Sequence, residues 1–279
     1  MSVINTNTSA AYSQNAMKTN ARYMSKAMEQ LSTGARVNSA ADDAAGLAIS
    51  QNMTSQIRGL NMAIRNVNDG INMMQTSEGA MVEQSNMLQR MRELAIQAMN
   101  GTYSDVQRGY LDKEFQQLTS QIDQIAHDTM WNDQAVLRGT TAGSAVTFSF
   151  QAGQDSGQTI SVTIGAMTAS GLGIVGSAGA IDITSGASAE ASLDKISAAL
   201  EVINEQRAAI GAGINRMQYT ADNLANISSN QTQSRSTIVD TDYAVATTQL
   251  AKTQIIQQAS TAMLAQANQQ AQSVMALLK

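Results

Sequence analysis

The stretch YAVATTQLAKTQIIQQASTAMLAQANQQAQSVMALLK, Tyr243–Lys279, has no glycine and no proline, and Lys252 and Lys279 are its only charged residues. Alanine, glutamine, leucine and methionine dominate it, all good helix formers, so it reads as one long helix. Ile256, Met263, Ala267, Val274 and Leu277 fall on a narrow stripe, with Ile255, Ala259, Ala262 and Leu278 beside it. Such a stripe is a coiled-coil seam, and a seam needs a partner. Near the N-terminus, Ala10, Met17, Ala21, Met24, Met28 and Leu31 repeat in one heptad phase. The chain ends are therefore expected to pair through Met17, Met24, Met28, Leu31, Ile256, Met263, Val274, Leu277 and Leu278. The outward positions carry the neutral glutamines Gln249, Gln254, Gln257, Gln258, Gln266, Gln269, Gln270 and Gln272 in place of charges, which suits burial against other copies. A helical pair this thin buries little surface alone, so it is expected to order fully on assembly.

Working inward from the ends, the first helix is expected over Met1 to about Leu31 and is broken by Ser32-Thr33-Gly34. Ser39 and Asp42 form a Ser-x-x-Asp capping pattern before an alanine-rich helical turn. From Ile57 a strict heptad runs through Leu60, Ile64, Val67, Ile71, Met74, Met81, Leu88, Ala95 and Met99, ending at Asn100-Gly101. A second helix, with Leu111, Phe115, Leu118, Ile122 and Ile125 on one face, is expected to fold back antiparallel to it. The heptad resumes at Leu193, Ile196, Leu200, Ile203, Ile210, Ile214, Met217, Ala221 and Leu224, with Arg207 a charged intruder at an inward phase.

Between them, Gly139 to roughly Gly186 is rich in glycine, serine, threonine and alanine. Val146, Phe148 and Phe150 alternate with polar residues, as do Ile160, Val162 and Ile164, which predicts a β-hairpin; the alternative is a flexible linker. The fold class expected is mainly α, a long antiparallel bundle with paired terminal helices and a small central β-hairpin. Its domains are 1–40 with 236–279, 41–138 with 187–235, and the reduced central region 139–186.

Composition narrows the function classes. Charged residues make up 14% of the chain, against about 25% in typical domains. A net charge of -5 with no basic run argues against nucleic acid and against a polybasic membrane anchor. No stretch reads as a signal peptide or a transmembrane span, so a chain that leaves the cell would need a route reading an uncleaved N-terminus. Proline is absent, which permits long unkinked helices, and cysteine is absent too, so no disulfide forms. There is no catalytic constellation and no cofactor motif. The single His127 cannot build a His-Glu-x-x-His zinc site and is read as a helix-end residue, favourable there when protonated. The paired carboxylates Asp42-Asp43 and Asp240 with Asp242 are read as helix starts.

Several motifs together resemble the bacterial flagellins. They are Ile4-Asn5-Thr6-Asn7, Leu31-Ser32-Thr33-Gly34, the run Asn38 to Ile49, and Gln89-Arg90-Met91-Arg92-Glu93-Leu94-Ala95. At the other end they are Asp240-Thr241-Asp242-Tyr243-Ala244, the run Ala262 to Gln269, and Leu277-Leu278. Ala271 stands where the family commonly has proline, and Ala246 where an acidic residue is usual. The resemblance implies a structural subunit that polymerises with itself into the flagellar filament for swimming, outside the cell. It also implies export unfolded through the flagellar type III apparatus, with a chaperone on the C-terminal segment and contacts to cap and hook-filament junction proteins. The short centre implies that the large outer domains are missing or reduced to this hairpin. Gln89, Arg90, Leu94 and Glu114 resemble the patch read by a vertebrate Toll-like receptor, and Leu277 and Leu278 the leucines sensed by a cytosolic innate receptor. The other readings that stay open are a hook-filament junction protein and a secreted helical adhesin.

Overall fold

The structure, a computed structural model, describes residues 6–139, 144–176 and 179–277, with backbone alone for 176, 179, 180 and 270–277. The chain is mainly helical, with 73% of the described residues in helices. Five helices carry it: α1 Thr8–Thr33, α2 Ala44–Met99, α3 Asp105–Asp128, α4 Gly186–Val239 and α5 Tyr243–Leu277. Three two-stranded antiparallel ribbons lie between α3 and α4, namely β1 Met130–Trp131 with β2 Gln134–Ala135, β3 Val146–Gln151 with β4 Thr159–Ile164, and β5 Val175–Gly176 with β6 Gly179–Ala180. Pairing of α1 with α5 and of α2 with α4 agrees with the antiparallel arrangement expected from the heptads. The chain divides into two compact units, Met1–Ile57 with Ser229–Lys279, and Arg58–Ser228.

In the first unit, Asn7 caps α1 by accepting from the Ala10 amide, and Gly34 ends it in the left-handed conformation (φ 72°) that an L side chain rarely adopts. The chain then bridges to the segment before α5: Ala35 pairs with Asp240, and the Thr241 amide donates to Gly34 O at 2.9 Å. Helix α2 begins at Ala44, thirteen residues before the first heptad isoleucine. Its cap differs from the expected one. Asp43 Oδ1 accepts from the Gly46 amide, whereas Asp42 turns back and accepts from Ser39 Oγ and the Ser39 and Asn38 amides. Asp42 closes a turn ahead of the helix. Beyond it, Thr54 Oγ1 accepts from Arg235 Nη1 and Gln56 Oε1 from Gln231 Nε2, tying α2 to the end of α4.

The second unit holds the main core. Val67, Met74, Met81, Leu88 and Ala95 on α2 are buried as their heptad spacing requires, and so are Phe115 and Ile122 on α3 and Ile196, Ile203, Ile210 and Met217 on α4. Helix α3 starts with a reciprocal capping box, Ser104 with Gln107, and Arg108 reaches back to Ala98 O and Asn100 O. The orphan carbonyls at the end of α2 thereby gain partners. The β3–β4 ribbon buries Ile160, Val162 and Ile164 in this same core. Phe150 lies flat over Gly70, where an added Cβ would stand 3.0 Å from its ring. Gln84, fully buried, donates to Ile122 O and Met167 O and so ties two helices to the segment after β4.

Candidate assembly surfaces

On α1 the line facing α5 runs through Met17, Asn20, Met24, Ala27 and Leu31. Met17, Met24 and Leu31 are half-buried as expected, but Met28 is 56% exposed and its place is taken by Ala27. On α5 the difference is larger. The inward line is Ala246, Leu250, Thr253, Gln257, Ser260, Leu264 and Ala267, while Ile255 (66%), Ile256 (38%) and Met263 (63%) are exposed. Val274 and Leu277 lie where backbone alone is described, and Leu278 lies outside the described residues.

Hydrogen bonds explain the inward phase. Asn20 Nδ2 donates to Thr253 O at 2.8 Å and to Gln257 Oε1, and Asn7 Nδ2 donates to Ala267 O. These bonds fix the phase of α5, with Thr253 and Gln257 inward between Leu250 and Leu264, and that phase leaves Ile255, Ile256 and Met263 outward. Tyr12, Tyr23 and Val245 are exposed in the same unit. An amphipathic reading that assigns only apolar residues inward misses the phase of a pair whose contact mixes apolar side chains with Asn20, Thr253 and Gln257.

Asp42 accepts an ion pair from Lys26 Nζ at 2.8 Å, and this charge, with the Ser39 hydroxyl and amide, lowers its pKa from 3.8 to about 2. The folded form holds the proton less tightly than the unfolded chain. The stabilisation is therefore present above about pH 4 and lost as pH falls toward 2. A carboxyl NMR titration of Asp42 should show a midpoint near 2 in the parent and a higher one in Lys26→Ala. Equal midpoints would mean that the pair does not persist in solution.

In the second unit, Arg90 sits exposed between two carboxylates: Nη1 is 2.9 Å from Glu93 Oε2, and Nε and Nη2 approach Glu114 Oε1 at 2.9 Å. Glu93 and then Glu114 raise the guanidinium pKa. Gln89 is exposed beside it. Leu94 is not part of this surface. It is 1% exposed and packs in the core, because it shares the inward face of α2 with Met91 and Ala98. A side chain that buried offers a partner no contact. His127, in the last turn of α3, receives Arg138 Nη1 at 2.7 Å from Nε2. Among the described residues no group of His, Asp and Glu is placed to hold a metal ion, and no helix is long and apolar enough to cross a membrane.

A mainly helical chain whose ends join along a thin seam, and which leaves Ile255, Ile256 and Met263 exposed beside it, has the build of a structural subunit that more protein covers. Comparison with known proteins specifies which. The profile of the bacterial flagellin N-terminal helical region matches residues 4–142, and that of the C-terminal helical region matches 193–278. The chain is 42% identical to the flagellin of Halalkalibacterium halodurans over 277 residues, 99% of this chain and 100% of that one. It is 40% identical to the flagellar filament 30.7 kDa core protein of Treponema maltophilum and 40% identical to the flagellin of Bacillus subtilis, each alignment covering 99% of both chains. The chain belongs to the bacterial flagellin family and is a subunit of the extracellular flagellar filament, a structural protein and not an enzyme.

Proposed function

We propose that the outward faces of α1 and α5 are the surfaces through which successive copies of this subunit join the growing filament. The observation that carries this is the exposure of Ile255, Ile256 and Met263 on α5 and of Tyr12, Tyr23 and Met28 on α1. Different faces of identical subunits meeting head to tail build an open helical polymer. The lack of cysteine and proline suits delivery as an unfolded chain through the flagellar type III route. A chaperone on the C-terminal segment would keep the same α5 face from premature association, and the cap and junction proteins would meet it at the filament ends.

Gln89, Arg90 and Glu114 remain the exposed group through which a vertebrate Toll-like receptor would read the subunit, with Leu94 supporting them from beneath. The test of assembly is seeded growth. Full-length subunit added to short filament seeds should elongate them, as seen by electron microscopy, and a variant lacking 255–279 should not. Equal elongation by the truncated chain would remove α5 from the assembly surface.

A further inference from the structure

The β1–β2 ribbon turns through Asn132 and Asp133, both at positive φ (48° and 62°), a two-residue hairpin that sets Trp131 opposite Gln134. Phe148 and Phe150 occupy alternate positions on β3 and share one face. Asp69 and Met73 are one turn apart on α2. The three elements line one cleft of about 220 Å³, with Asp69 and Met73 from α2, Trp131, Asn132 and Gln134 from the β1–β2 ribbon, and Phe148, Ser149 and Phe150 from β3. Phe148 and Phe150 are half-buried against α2, so the aromatic wall is anchored in the core.

The chemistry of the lining is specific. Three aromatic side chains and Met73 line it together with a carboxylate, two carboxamides and the Ser149 hydroxyl, and with no lysine or arginine. Among the described residues, the Asp69 carboxylate, the Asn132 and Gln134 amides and the Trp131 indole N–H have no hydrogen-bond or ion-pair partner. An anion is disfavoured by Asp69 and meets no cation. A quaternary ammonium would suit the aromatic faces and Asp69 but would leave both amides and the indole N–H facing a group that cannot bond. A small hydroxylated ring uses every part: its C–H face lies on the aromatics, and neighbouring hydroxyls bond to the planar carboxylate and amides. The volume, below the roughly 300 Å³ of sites for drug-sized ligands, admits one such ring.

We propose that this cleft binds a single neutral sugar ring. Trp131 is the only tryptophan of the chain, so its fluorescence and its indole N–H resonance report on the cleft directly. Full-length protein is titrated with the methyl glycosides of glucose, galactose, mannose and N-acetylglucosamine, and separately with choline, to about 100 mM. The expected result is saturation by at least one glycoside in the millimolar range, with the Trp131 indole resonance shifting along the same curve. Asp69→Asn and Gln134→Ala, both exposed positions, should each weaken that binding at least about fivefold with an unchanged circular-dichroism spectrum. The proposal is overturned if no glycoside saturates, if choline alone does, if the indole resonance stays unmoved, or if both variants bind as tightly as the parent. Should either variant fail to fold, the indole resonance in the parent protein decides the matter.

Discussion

Ile255→Asp combined with Met263→Asp is expected to abolish seeded elongation while the isolated subunit keeps its helical circular-dichroism signal. Both side chains are exposed in the single chain, so the change costs the monomer little. On burial against a neighbouring copy, an unpaired carboxylate at either place costs several kcal/mol. Even about 3 kcal/mol lowers the association constant by more than 100-fold, enough to raise the critical concentration beyond reach at ordinary subunit levels. The paired control, leucine at both positions, should elongate seeds like the parent. Elongation by the aspartate variant at the parental rate would place the subunit contacts elsewhere.

Phe115→Ala should have the largest effect on stability. The side chain is fully buried in the α2–α3–α4 core, and truncating it removes contacts and leaves a cavity, at a cost of about 3–5 kcal/mol. Urea unfolding followed through Trp131, which reports on the same unit, should show a lower midpoint with a similar slope. A loss below about 1 kcal/mol would mean that neighbouring methionines flow into the space. Six buried methionines, Met73, Met74, Met81, Met91, Met167 and Met217, make this core more yielding than a leucine core.

The second unit was legible from spacing because its contacts are apolar. Val67, Met74, Met81 and Leu88, and Ile196, Ile203 and Ile210, lie inward where a heptad puts them. The β3–β4 ribbon announced itself by alternation. What escaped was structure held by other forces. The α1–α5 line is chosen by Asn20, Thr253 and Gln257, polar residues that a hydrophobic pattern assigns to the outside. The first turns of α2 are alanine-rich and polar, with no stripe to extend the heptad back to Ala44. The β1–β2 ribbon is only two residues a side, and its sole signal is the pair Asn132-Asp133, a dipeptide tolerant of positive φ. Leu94 could have been placed, since Met91, Leu94 and Ala98 share a face by their spacings of three and four.

The bond from Asn7 to Ala267 spans 260 residues, and that from Asn20 to Thr253 spans 233. Contacts so remote in sequence carry the largest loop-closure cost in the molecule and cannot form until both termini are present. Whichever end arrives first has to wait. The second unit, built from one uninterrupted segment, faces no such delay. Closure of the terminal pair therefore follows the folding of the second unit, and a chain that stops before Thr253 has neither of these bonds to close.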